Sequence, residues 1–129
     1  MNREELEPFI FETYAAEPEY LWIKYPTCAV FRYTGNRKWF AALLDAPRKA
    51  LGLPGEGNLD VLDVKCDPLL IGSFREEPGI YPGYHMNKSC WLSAALDGSA
   101  DDETIKTLLA LSFDLTAPKP GKRKGGPKP

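Results

Sequence analysis

Residues 28–44 read Cys28-Ala-Val-Phe-Arg-Tyr-Thr-Gly-Asn-Arg-Lys-Trp-Phe-Ala-Ala-Leu-Leu44. Two runs rich in aromatic and aliphatic residues, 28–33 and 38–44, flank Thr34-Gly35-Asn36-Arg37. β-branched and aromatic residues suit a pleated surface, and a short Gly/Asn-containing link closes such runs into a β-hairpin. A sheet therefore organises the chain, and the remaining elements are placed against it.

Downstream, 45–58 carries Pro47, Gly52, Pro54, Gly55 and Gly57, the signature of a loop, with one helical turn at Arg48–Leu51. Residues 59–66 alternate as a third strand, with Leu62, Val64 and Cys66 expected on one side and Asp63 and Lys65 on the other. Asp67-Pro68 reads as a helix start running to Arg75, with Asp as N-cap. The stretch 76–89 is turn-rich, and 90–96 reads as a further strand. Ser99 and Asp102 have the spacing of a cap for a last helix whose buried stripe is Ile105, Leu108, Leu109 and Phe113.

Upstream, Asn2 and Glu5 are spaced as a capping box, followed by Leu6, Phe9, Ile10 and Tyr14 at helical intervals. Pro8 removes one backbone donor and is expected to bend this helix. The whole pattern is a segregated α+β domain over residues 1–116, an antiparallel sheet with the N- and C-terminal helices on one side. Residues 117–129, rich in Lys, Gly and Pro, form a basic tail expected to be disordered.

At 129 residues the chain has the size of one domain, and its 43% hydrophobic content is enough for a core without disulfides. Cys28, Cys66 and Cys90 are odd in number and form no CxxC pair, which excludes a zinc ribbon and points to a reducing compartment. No run reaches the length of a membrane span, and the acidic start lacks the charge and apolar pattern of a signal peptide, so the expectation is a cytoplasmic protein with no membrane contact. The net charge of −2 is uneven: 11 basic against 18 acidic residues leave the body at about −7, and the tail carries +5. Such a body suits nucleic acid only if its cations share one face.

Three stretches resemble the MmcQ/YjbR family. They are Glu17-Pro-Glu-Tyr-Leu-Trp22 with Lys38-Trp-Phe-Ala41; Val64-Lys-Cys-Asp-Pro68; and Pro82-Gly-Tyr-His-Met-Asn-Lys88 with Trp91, Leu96-Asp-Gly-Ser99 and Leu111-Ser-Phe-Asp-Leu115. The resemblance spans residues 2–116, with Cys90 where His is common and Phe113 where Tyr is usual. It implies a CyaY-like or secretion-chaperone-like fold. It also implies a comparison with double-wing DNA-binding domains, in which hairpin tips act as wings. It supplies no catalytic residues.

On that basis the expected function is that of a monomeric, non-enzymatic binding module. The leading expectation is weak, sequence-nonspecific DNA binding through Arg32, Arg37, Lys38, Lys65 and Lys88, joined by Lys122, Arg123 and Lys124 of the tail. The competing reading is a protein- or small-ligand-binding module that uses loop aromatics (Tyr20, Trp22, Tyr25, Tyr81) and the segment Tyr84, His85, Asn87 and Lys88 with Trp91. The bland reading of that segment makes Tyr84 and Trp91 core, with His85 and Asn87 satisfying backbone groups in a turn. His85 is the single histidine, no nucleophile elbow, GxGxxG or P-loop is present, and neither a cofactor nor a metal is expected. Acidic residues of the first helix and its sequel, Glu4 to Glu19, read as a solvated face.

Overall fold

The computed structural model describes residues 1–118; the tail residues Lys122, Arg123 and Lys124 lie outside the described residues. Helix α1 (Arg3–Tyr14) is followed by strands β1 (Ala29–Arg32) and β2 (Trp39–Pro47), a 3-10 turn at Arg48–Leu51, and β3 (Asn58–Lys65). A short helix α2 (Ile71–Phe74), strands β4 (Ile80–Pro82) and β5 (Trp91–Ala95), and helix α3 (Asp102–Thr116) complete the order. The strands form one sheet in the order β1-β2-β3-β5-β4, every neighbouring pair antiparallel. This is the α+β architecture the hairpin and capping patterns dictate.

The capping box at the start of α1 is present in both directions, Glu5 N–H to Asn2 Oδ1 at 2.9 Å and Asn2 N–H to Glu5 Oε1 at 3.0 Å. The helix continues through Pro8, which lies on the exposed side where the lost backbone bond faces water. Leu6 and Ile10 of α1 and Ile105, Leu108 and Leu109 of α3 pack on Phe31, Leu43, Leu62 and Leu92 of the sheet, forming the main core.

One irregularity sets the side-chain directions of β2. Phe31 pairs with Ala41 but Arg32 pairs with Trp39, so Phe40 is an extra residue, a β-bulge. Without it, strict alternation would put Trp39 and Ala41 on the same face. The bulge sends Phe40 and Ala41 together into the helix-side core and turns Trp39 to the opposite face.

Three expectations are corrected and one is extended. Leu62, Val64 and Cys66 lie in the helix-side core with Asp63 on the other face, as the alternation predicts; that face is covered by loops, and Asp63 is fully buried there. The helix expected from Asp67 is reduced to Ile71–Phe74, because Asp67 Oδ1 closes a local turn by accepting from Leu69 N–H at 2.9 Å. The cap of α3 is Asp101, accepting from Glu103 N–H at 3.2 Å, whereas Ser99 donates to Asp97. Finally, the turn-rich stretch contains β4, and β2 runs on through Asp45-Ala46-Pro47.

Candidate functional site

The second sheet face is built differently from the first. Its buried residues are small or aliphatic, among them Ala42, Ala46 and Ala95 beside Val30 and Val61. Small side chains leave room above the strands, and three loops fill part of it with large ones: Trp22 from the loop before β1, Leu51 and Leu53 after β2, Tyr84 and Met86 after β4. What they do not fill is a cavity of about 340 Å³. Five rings line it, those of Trp22, Tyr25, Trp39, Tyr84 and His85, together with Met86. Cys28 and Leu44 line it from the strand side, and Asp45, which also borders a second cavity beside Arg3 and Asp60, is the one acidic residue among the lining residues. Trp22 and Trp39 meet edge to face, centroids 5.9 Å apart at 83°. Nearby loop residues Tyr20, Leu21, Ile23 and Tyr25 are exposed, Ile23 almost completely, at 98%.

The loop before β1 is held by Glu19. Its backbone forms a bridge to Val30 on the outer edge of β1, and its carboxylate receives Arg32 Nε at 3.1 Å and Arg37 Nη2 at 3.2 Å. Arg32 also donates to the carbonyl of Arg37 at 3.0 Å. Two of the expected DNA contacts are thereby brought together, but around an internal acid. The hairpin tip is also tied down: Asn36 Nδ2 donates to the carbonyl of Thr116 at 2.8 Å, and Tyr33 packs on Phe113 with centroids 4.8 Å apart. Lys38 is exposed beside this tip, and Lys65 lies 6.0 Å over the Trp91 ring on the second face.

The segment after β4 is held by a chain of close contacts. Gly83 N–H donates to the carbonyl of Trp91 at 3.1 Å, and a Cβ at Gly83 would stand 2.7 Å from Trp91 Cβ, so only glycine allows this approach. Tyr84 N–H donates to Ser93 Oγ at 2.8 Å. His85 has φ of 61° and lays its ring 3.9 Å from that of Tyr84, on the exposed rim. Asn87 Oδ1 accepts from Ser89 N–H at 3.0 Å, and Lys88 Nζ donates to the carbonyl of Gly83 at 2.9 Å. Trp91 is buried. Asn87, Lys88 and Trp91 thus serve the architecture of the turn, while Tyr84 and His85 reach the cavity.

Beneath Tyr84 lies a buried polar pair. Ser93 Oγ donates to Asp63 Oδ1 at 2.5 Å, and among the described residues nothing pairs with Asp63 Oδ2. Burial pushes the Asp63 carboxyl up to about 7, against the lowering effects of the Ser93 hydroxyl and the charge of Lys88. Burial also raises the Tyr84 phenol, helped by Tyr25 and by the negative charge of Asp45. Sequence reasoning passed over Asp63, Ser93 and Asp45. The alternation of 59–66 placed Asp63 on the face opposite Leu62 and Val64, and no local pattern announces that loops will cover that face.

A small antiparallel α+β domain with two helices on one face of the sheet and an aromatic-lined cavity on the other defines a class of compact single-domain protein. The YjbR family profile matches residues 12–115, and the chain belongs to that family. It is 37% identical over 116 residues to the uncharacterized protein YyaQ of Bacillus subtilis, covering 90% of this chain and 98% of the relative. A crystal structure of a Pseudomonas syringae protein matches with a TM-score of 0.88 at 42% identity, over 91% of this chain and all of the other. A solution NMR structure from Pseudomonas syringae gives 0.82 at 42% identity, over 91% of this chain and 94% of the other. A Deinococcus radiodurans crystal structure shares the fold at 23% identity, with a TM-score of 0.64 over 98% of this chain and 83% of the other. No helix among the described residues is long and apolar enough to cross a membrane.

Proposed function

We propose that the chain is a non-enzymatic binding protein whose ligand site is the aromatic cavity on the loop-covered face of the sheet. The observation that carries this reading is the cavity itself: about 340 Å³, walled by Trp22, Tyr25, Trp39 and Tyr84. Concave sites of this size with mostly apolar linings and a few polar groups are the usual form of small-molecule sites. Cys28 and His85 both border the cavity, but among the described residues no hydrogen bond joins them, so the nucleophile–base geometry of a thiol enzyme lacks support.

This order reverses the precedence that sequence reasoning gave to DNA. Arg32 and Arg37 share the one carboxylate of Glu19, which offsets one of their two charges and leaves Lys38 beside them as the cation without an ion-pair partner among the described residues, and the hairpin tip is fastened to the end of α3. A wing that enters a groove needs free cations at a free tip. The test is a two-dimensional NMR titration with small aromatic fragments and, separately, with a short DNA duplex. Fragments are expected to shift the Trp22, Trp39 and Tyr84 signals. Shifts confined to Arg37 and Lys38 on DNA addition, with a steep salt dependence and silent cavity signals, would overturn the reading.

A further inference from the structure

We propose that the cavity takes a small alkylated ammonium cation, seated in the corner between Trp22 and Trp39 with Asp45 as counter-charge. The inference rests on the reading of the cavity as a ligand site and names the chemistry of the ligand. Three observations point the same way.

The first is the wall. Trp22 and Trp39 stand at 83° to each other, and the rings of Tyr25 and Tyr84 complete an enclosure of π-systems. The face of an aromatic ring carries negative electrostatic potential, strongest for indole, so rings set at right angles hold a cation better than they hold an anion. The second is charge. Asp45 lines the cavity, and among the lining residues there is no lysine or arginine. Its charge reaches the cavity wall, where it contributes to the raised titration of the Tyr84 phenol. The third is the shortage of acceptors. Apart from Asp45, the tyrosine hydroxyls and His85, the lining offers indoles, a thioether, a thiol and an aliphatic side chain. A primary ammonium carries three N–H donors and a tightly held water shell, and such a lining leaves them poorly satisfied. An alkylated ammonium has no such demand, because its charge is spread over methyl groups that pack against rings.

Asp45 is also placed to serve. It is exposed, so that it is not itself silenced by burial, and it stands directly across the ladder from Asp60. Asn58 Nδ2 donates to Asp45 Oδ2 at 3.2 Å, which leaves the other carboxylate oxygen without a partner among the described residues. Asp60 is offset by the charge of Arg3, with which both acids border a second cavity, so Asp45 is the acid of this strand end that reaches the aromatic cavity.

The experiment is a titration with choline and with its neutral isostere 3,3-dimethylbutan-1-ol, followed by the indole N–H signals of the full chain. Trp22 and Trp39 line the cavity, whereas Trp91 does not and serves as an internal control. Choline is expected to shift Trp22 and Trp39 and leave Trp91 unmoved, binding about tenfold more tightly than the isostere, the ratio that one good cation–π contact supplies. Asp45→Asn, which keeps the shape and the acceptor for Asn58, is expected to erase most of that ratio without changing the fold. Equal binding of the two compounds would overturn the assignment to cations while leaving the cavity a ligand site. Binding of neither would also overturn it, and the fragment titration then decides the fate of the cavity separately.

Discussion

The hydroxyl of Ser112, near the end of α3, lies 2.5 Å from the carbonyl oxygen of Phe40, the extra residue of the β2 bulge. The Ser112 hydroxyl oxygen in turn accepts from Lys65 N–H at 2.9 Å, so one side chain satisfies a donor of β3 and an acceptor of β2 where the ladder between them ends. Ser112 is fully buried. Ser112→Ala is expected to destabilise the fold by about 2–4 kcal/mol, since both backbone groups are left buried and unpaired. A urea titration of the variant against the parent chain measures it; a loss below about 0.5 kcal/mol would mean that the bulge finds other partners.

The buried carboxyl of Asp63 makes stability depend on pH. Its folded value, about 7, lies above the ordinary 3.8, so between these values the folded state holds a proton that the unfolded state has released. Stability therefore falls as pH rises from about 4 to about 7 and levels off above, by at most about 4 kcal/mol for the full shift. Asp63→Asn, a mimic of the protonated form, is expected to flatten that slope. Unfolding free energies of both proteins at pH 5, 6, 7 and 8 give the comparison, and parallel slopes would remove Asp63 as the cause.

Gly83→Ala drives a methyl group to within 2.7 Å of Trp91 Cβ and 3.0 Å of its backbone. The end of β4 must then move from β5, breaking the bond from Gly83 N–H to Trp91 and loosening that from Tyr84 N–H to Ser93. The expected cost is about 2–3 kcal/mol, in the range of an overpacked core site. Thermal unfolding reads the loss, and displaced Tyr84 and His85 signals show where it falls.

Trp91→Ala separates core from surface roles for the last residue of the motif. The side chain is 9% exposed with Lys65 extended over its ring, so truncation is expected to cost about 3–5 kcal/mol. Wild-type stability in denaturant would place Trp91 outside the core.

Much of the fold was legible because its signals are local. Asn2 with Glu5, the hairpin link at Thr34–Arg37, and the stripe Ile105, Leu108, Leu109 each depend on residues a few positions apart. What went unread depends on partners distant in sequence. Asp63 is buried by a loop that begins twenty residues later, about the span of a supersecondary unit, and β4 exists because Ile80–Pro82 finds β5. The bulge at Phe40 leaves no mark in the run Lys-Trp-Phe-Ala-Ala, whose alternation is blurred by apolar residues on both faces. The cavity was half legible: its loop aromatics stood out by type, but their convergence on Cys28, Leu44 and Asp45 is a product of the tertiary fold.

The alanines of the second sheet face carry a consequence for descent within the family. Ala42, Ala46 and Ala95 belong to a cluster separate from the one that α1 and α3 bury, so the two sides of the sheet answer to different demands. On the helix side, large side chains interlock and a change of volume disturbs the packing. On the loop side, a single methyl gained or lost changes the room above the strands and leaves the helix-side core intact. Relatives can inherit the same scaffold and diverge in what they hold, and kinship in fold carries no inheritance of ligand.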